Sequence, residues 1–361
     1  MISVFCDVID NYGDAGFCLR LCRDLCNKKY QVRFFCNNLN TLKQIYTKED
    51  QSNPLLEIKT WPSNIEDFTP TKVIIQAFSV RLPSQLNQKI KEANSLVINL
   101  DYLTAEKFAE DCHKLSSFAD GIQSYFFFPG FTNKTGGLII ENNLLKLIKE
   151  EKDKETAKIT LFSYENERLP KIISLLNKLD KKFDVRIFEG KTLDNFNKVL
   201  KHNLEVNNVL KNNKLTYKAI KMVNQDEYDS ILLNSDLNLV RGEDSIVRAM
   251  LIGKPFLWNI YPQKDNYHIT KIEALFDLMK IYCTNKQAIE KLRSLTLFYN
   301  GADIDIDQID LINFWNEWKD LSKEWSNHLI SIGSLTDNLI AFLEEKIIGQ
   351  PNHTDHDHKM I

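Results

Sequence analysis

Apolar positions along this chain follow two alternating rhythms. Residues 2–8 are a short apolar run, and the polar, glycine-containing stretch Asp10-Asn11-Tyr12-Gly13-Asp14-Ala15-Gly16 follows as a turn. From residue 15 to 27 the apolar positions Cys18, Leu21, Cys22, Leu25 and Cys26 recur at three and four, leaving Arg20, Arg23 and Asp24 on the other face. That spacing predicts an amphipathic helix. Residues 31–36, 72–78 and 95–100 read as further strands, each separated by helical or loop segments. Strands alternating with helices imply a parallel sheet covered on both faces.

Residues 149–155 are almost all charged, which marks a lobe boundary near residue 150, and the pattern then restarts. Residues 159–164, 185–188, 215–223, 237–240 and 255–260 read as strands, and 169–179, 225–233, 245–252 and 267–279 as helices. The expected organisation is therefore a first α/β lobe over 1–150, a second over 151–333, a terminal helix over 334–348 and a disordered tail over 349–361. The terminal helix carries a capping-box pattern in Ser334 and Asp337, with Leu335, Leu339, Phe342 and Leu343 on one face. Two open α/β lobes side by side leave a cleft between strand carboxyl ends, and a ligand belongs there.

Composition narrows the function. At 361 residues with 43% hydrophobic and 26% charged positions, the chain can bury two ordinary cores. A formal charge of −3 supplies no basic field for nucleic acid. Seven cysteines without a repeated CxxC pair fit reduced thiols, and no apolar run is long enough to span a membrane, so a soluble, cytoplasmic protein is expected.

Two constellations carry candidate chemistry. Asp10 and Asp14 stand four apart where the first strand gives way to the first helix, so one can serve as a base; the other reading is a turn residue and a helix cap. No GxGxxG is present, which disfavours a nicotinamide enzyme. Arg241-Gly242-Glu243-Asp244-Ser245 lies between a strand and a helix, where helix N–H groups, Arg241 and the Ser245 hydroxyl suit a diphosphate. Glu243 and Asp244 would repel phosphate if they faced it, so one must turn to sugar hydroxyls or bond the turn. Phe162 and Tyr164 end a strand where an aromatic can stack on a base or fill the core, and Gln225 precedes a helix where it can meet a pyrimidine edge or water. The segment from 125 to 131 holds five aromatics in seven residues and reads as buried under the first lobe facing the cleft, or as a protein-docking surface. Cys18, Cys22 and Cys26 read as core rather than a thiolate site, Asp303, Asp305 and Asp307 lack the pattern of a calcium loop, and His353, His356 and His358 lie in the tail. No required metal is expected.

Taken together, Asp10-Asn11-Tyr12-Gly13-Asp14, Tyr125-Phe126-Phe127-Phe128-Pro129-Gly130-Phe131, Arg241-Gly242-Glu243-Asp244-Ser245 and Gly253-Lys254-Pro255-Phe256 resemble the EarP family, the protein-arginine rhamnosyltransferases that modify bacterial elongation factor P. The likeness spans nearly the whole chain. It implies a GT-B glycosyltransferase architecture, two Rossmann-like lobes facing a cleft, with the terminal helix crossing back to the first lobe. It further implies transfer of L-rhamnose from dTDP-β-L-rhamnose to an arginine nitrogen of elongation factor P, with inversion, no metal or other cofactor, and no nucleic-acid or membrane partner. By motif, Asp14 is the general base with Asp10 beside it, and Glu243 is the other essential carboxylate. Asn11, Tyr12 and Gly13 approach the donor, Arg241, Asp244 and Ser245 hold its diphosphate, and Phe162, Tyr164 and Gln225 surround the nucleoside. Met222 and Gln76 depart from the family, which favours an aromatic and an acid there. Two rival functions fit the same residues: a GT-B transferase with a glycan or small-molecule acceptor, and a non-catalytic nucleotide-binding regulator.

Overall fold

The fold is given by a computed structural model that describes residues 1–8, 11–119, 121–149 and 157–348. Among these, seven strands form the first sheet: β1 (Ile2–Cys6), β2 (Val32–Cys36), β3 (Leu56–Lys59), β4 (Val73–Ala77), β5 (Leu96–Leu100), β6 (Ser116–Ala119) and β7 (Ile122–Phe127). Their order is β3-β2-β1-β4-β5-β7-β6, parallel except for the β6–β7 pair. Six form the second: β8 (Ala157–Leu161), β9 (Phe183–Phe188), β10 (Val209–Asn212), β11 (Leu215–Ile220), β12 (Leu237–Arg241) and β13 (Phe256–Asn259). Here the order is β10-β11-β9-β8-β12-β13, parallel except for β10–β11. Central strands read as unbroken apolar runs because helices cover both faces; β1 is buried at all five positions.

In each sheet the strand order reverses beside the first strand. β1 lies between β2 and β4, and β8 between β9 and β12. Helices leaving neighbouring strands at such a point go to opposite faces and open a crevice at the carboxyl ends. The first helix (Asn11–Asn27) leaves β1 there, and the helix Gly242–Ile252 leaves β12.

The first helix lays Cys18, Cys22 and Cys26 into the first lobe's core, and the terminal helix (Leu335–Ile348) adds Leu335, Leu339, Phe342 and Leu343 to the same core. The Ser334 hydroxyl accepts the Thr336 N–H at the start of that helix. Phe5, Phe35 and Phe68 pack on the sheet's opposite face. Packing passes to the second lobe before the charged run is reached: Phe131, Leu138, Ile140 and Leu144 belong to the second core, where Phe131 meets Trp325. No helix among the described residues is long and apolar enough to cross a membrane.

Several expectations change. The strands read from the sequence are present, but β3, β6 and β10 escape the pattern because they are edge strands with little burial. The helices Lys191–Leu200, Lys286–Tyr299 and Leu311–Ser331 were also not anticipated. The first helix starts at Asn11, so Asp14 sits inside its first turn rather than capping it. β8 stops at Leu161, which places Phe162 and Tyr164 in the segment leaving the strand, not on it. The aromatic segment enters the sheet as β7, and Phe127 packs on His113 and Phe342. Arg20 is 1% exposed because the second lobe covers the helix face predicted to meet water. Asp10, most of the charged run and the tail lie outside the described residues.

Candidate active site between the lobes

A crevice between the two sets of carboxyl ends is lined from both lobes. Tyr12, Gly13 and Ile45 line it from the first lobe; Phe162, Tyr164, Met222, Gln225, Tyr228, Arg241, Glu243, Asp244 and Ser245 are among the lining residues of the second. The sequence-predicted donor residues with described side chains thus converge, although they are scattered over more than two hundred positions.

The second-lobe wall is built at the β8/β12 switch point. Arg241 ends β12 in extended conformation, and Gly242 at φ +65° turns the chain into the helix. A residue with a β-carbon is strained at that dihedral, which is why glycine precedes the acidic pair. The helix amino terminus then points its free N–H groups and partial positive charge into the crevice. The Arg241 guanidinium lies over the Phe162 ring at 4.2 Å and over Tyr164 at 4.9 Å, and donates to the Ser163 carbonyl at 3.4 Å. Phe162 is braced from behind by Tyr228 and Phe188. An aromatic face, a cation and a helix amino terminus in one wall fit a base joined to a diphosphate.

Of the two predicted carboxylates with described positions, Glu243 lines the cleft and Asp14 does not. Asp14, on the first helix, is 4% exposed, and Glu243 accepts the Leu103 N–H at 3.1 Å. Next to Leu103 in the chain, Tyr102 stacks on Phe78 at 4.5 Å. Burial, and after it the negative charges of Asp14 and Glu243, push the Tyr102 phenol well above its ordinary value. Lys271 stands 3.8 Å from Glu243 and 5.9 Å from the Tyr102 ring.

Behind this wall the lobes are joined by buried charge. Arg20 of the first helix donates from Nε to both Asp244 oxygens at 2.9 and 3.2 Å and from its other two nitrogens to Asp229 at 2.9 Å, with Glu141 at 3.5 Å. Arg248 bonds Asp229 from the other side and also bonds Glu141. Burial pushes the Asp229 carboxyl up, but the two guanidiniums outweigh it and hold it below the usual range. Gln225, 4% exposed, donates to the Gly16 carbonyl at 2.9 Å and its own N–H bonds Ile45, so it ties the lobes together besides lining the cleft.

Sequence reasoning did not assign roles to Tyr102, Tyr228, Lys271, Arg20, Asp229 and Arg248. Arg248, set among Ile246, Val247, Ala249, Met250 and Leu251, was the available signal, since a buried arginine requires carboxylates nearby. Tyr12 bonds Gln44 through its hydroxyl at 2.5 Å. No group of three or more ligand side chains able to hold a metal occurs among the described residues. Burial pushes the Cys26 thiol up to about 12 and Cys36 up to about 11, which keeps them neutral core residues.

Two lobes of mainly parallel sheet facing each other across such a cleft are the GT-B architecture, and the chain's matches over nearly its whole length make it a glycosyltransferase of that fold. Over residues 2–344 it matches the family described as Elongation-Factor P (EF-P) rhamnosyltransferase EarP, and it belongs to that family. It is 30% identical to the protein-arginine rhamnosyltransferase of Shewanella oneidensis, with 95% of this chain and 97% of that one covered. To the protein-arginine rhamnosyltransferase of Pseudomonas putida it is 34% identical, covering 90% and 88%. A solved structure described as the structural basis for EarP-mediated arginine glycosylation of translation elongation factor EF-P superposes with a TM-score of 0.64 at 22% identity, covering 95% and 98%, a likeness of fold.

Proposed function

We propose that this protein moves L-rhamnose from dTDP-β-L-rhamnose to an arginine nitrogen of elongation factor P, in the cytoplasm, by one displacement that inverts the anomeric centre. The observation that supports this reading is the wall made by Arg241, Phe162, Tyr164 and a helix amino terminus, with Glu243 beside it, in a cleft that Tyr12 and Gly13 line from the first lobe. Arginine is a weak nucleophile because its guanidinium, with a pKa above about 12, keeps its proton at neutral pH. A carboxylate that pairs with the fork orients one nitrogen and takes its proton as the new bond forms, so prior deprotonation is not needed. Asp14 takes that role. The arginine nitrogen bonds the anomeric carbon, the bond from that carbon to the diphosphate oxygen breaks, and dTDP leaves with the electron pair. Arg241 and the amino terminus of the helix Gly242–Ile252 stabilise the charge that builds on the leaving group. Glu243 faces the sugar side with Lys271 near it. Tyr12 and Gly13, in the first turn of the first helix, meet the donor from the first lobe.

The test is incubation with dTDP-L-rhamnose and unmodified elongation factor P, a glycan acceptor, or no acceptor. One deoxyhexose on an arginine of the protein acceptor, found by mass spectrometry, is the expected result. Transfer to the glycan alone, or binding of dTDP without transfer, refutes the reading in favour of one of its rivals.

A further inference from the structure

We propose that Arg20, a first-lobe residue, is the counter-charge that allows the second lobe's acidic turn to face a diphosphate. The inference rests on the nucleotide-sugar reading above and goes beyond it by making the donor site depend on both lobes. Its starting point is a conflict of charge. Glu243 and Asp244 follow Arg241 directly, both line the cleft, and two carboxylates beside a diphosphate repel it. Each has a cation within reach. For Glu243 it is Lys271, at 3.8 Å, from its own lobe. For Asp244 it is Arg20, whose Nε spans both carboxylate oxygens.

Arg20 does not meet the donor itself. It is 1% exposed, and its two terminal nitrogens are taken up by Asp229 and Glu141. It therefore acts through Asp244 as a positioning residue. Of the three carboxylates in the cluster, Asp244 is the most exposed, with 15% of its side chain open against 8% for Asp229 and 11% for Glu141. The cluster already holds three carboxylates, Asp229, Asp244 and Glu141, against two guanidiniums, Arg20 and Arg248. Burial raises the Asp244 carboxyl and outweighs Arg20 and Arg248, which lower it. Taking Arg20 away leaves one cation for three carboxylates, and the uncompensated charge appears at the member nearest the phosphates. A lysine cannot replace the geometry, because one ammonium cannot span Asp244 and Asp229 together.

The test is calorimetric titration of dTDP into the full-length protein and into Arg20→Gln, Asp244→Asn and the double variant, with circular dichroism as the check of folding. Arg20→Gln is expected to weaken dTDP binding by about tenfold or more, and more steeply at low salt. Adding Asp244→Asn to it is expected to restore most of that loss, which a purely structural role for Arg20 would not allow. If Arg20→Gln does not fold, Arg20→Lys with and without Asp244→Asn makes the same comparison. Wild-type affinity in a folded Arg20→Gln, or a double variant that binds no better than the Arg20 single, overturns the inference. Wild-type protein that fails to bind dTDP overturns the nucleotide-sugar reading itself.

Discussion

At Gly16 the first helix lies close against the second lobe, and enlarging it measures how closely the seam is fitted. A β-carbon placed there lies 3.1 Å from Gln225 Nε2 and 3.6 Å from Asp244 Oδ2. For Gly16→Ala two terms oppose. Alanine gains about 1 kcal/mol of helix propensity over glycine. The amide of Gln225 must shift by a few tenths of an ångström, which weakens its 2.9 Å bond to the Gly16 carbonyl, an interaction contributing about 1 kcal/mol. Stability should therefore change by less than about 1 kcal/mol. Gly16→Leu places a branched side chain between the same neighbours, and overpacking of that kind costs about 1–3 kcal/mol unless the helix moves away. For lobes of this size that is a fall of roughly 2–12 °C in thermal midpoint. Because Gln225 and Asp244 also line the cleft, dTDP affinity should fall with it in the leucine variant and change little in the alanine variant. Differential scanning fluorimetry and dTDP titration on both variants check this. A leucine variant that melts and binds like the wild type refutes the close-seam description.

Three further outcomes are expected. Asp14→Asn should keep dTDP affinity and lose turnover by at least about a hundredfold, since an amide cannot accept the proton; near-normal turnover eliminates Asp14 as base. Arg241→Ala should weaken dTDP binding and turnover together, and unchanged dTDP affinity argues against its phosphate role. His113 gives a pH dependence: burial, with a smaller contribution from Lys114, lowers its pKa to about 4, and its Nδ1 accepts the Phe128 N–H at 3.1 Å, a bond protonation there would break. The unfolded chain takes up that proton near pH 6.5, so stability from this group is complete above about 6.5 and falls as the pH drops toward 4. Denaturant midpoints between pH 7 and 4.5 should fall less steeply in His113→Gln; parallel slopes refute the assignment.

What was legible in the sequence follows from how each feature is encoded. The buried strands were, because two covered faces force continuous apolar runs such as Ile2–Cys6, and the helix Gln225–Leu233 was read to the residue. Edge strands such as Val209–Asn212 bury little and leave no such trace. The donor wall was legible because its residues sit next to one another in Arg241-Gly242-Glu243-Asp244-Ser245 and mark a strand-to-helix turn. The seam was not. Arg20 sits 224 positions from Asp244, and a polar residue on an amphipathic helix reads as solvent-facing until a second lobe is laid over it. Tyr102 escaped for a related reason: its burial, and the charges of Asp14 and Glu243 that act on it, come from the packing of the two lobes.

The claim beneath all of this is a single displacement on the sugar, with the acceptor entering from the first-lobe side and the diphosphate leaving toward the second. The anomeric configuration of the product reads that directly. Nuclear magnetic resonance of the rhamnosylated arginine should show an α-linked sugar derived from the β-linked donor. A β-linked product would require two displacements and a covalent intermediate, and would contradict the account.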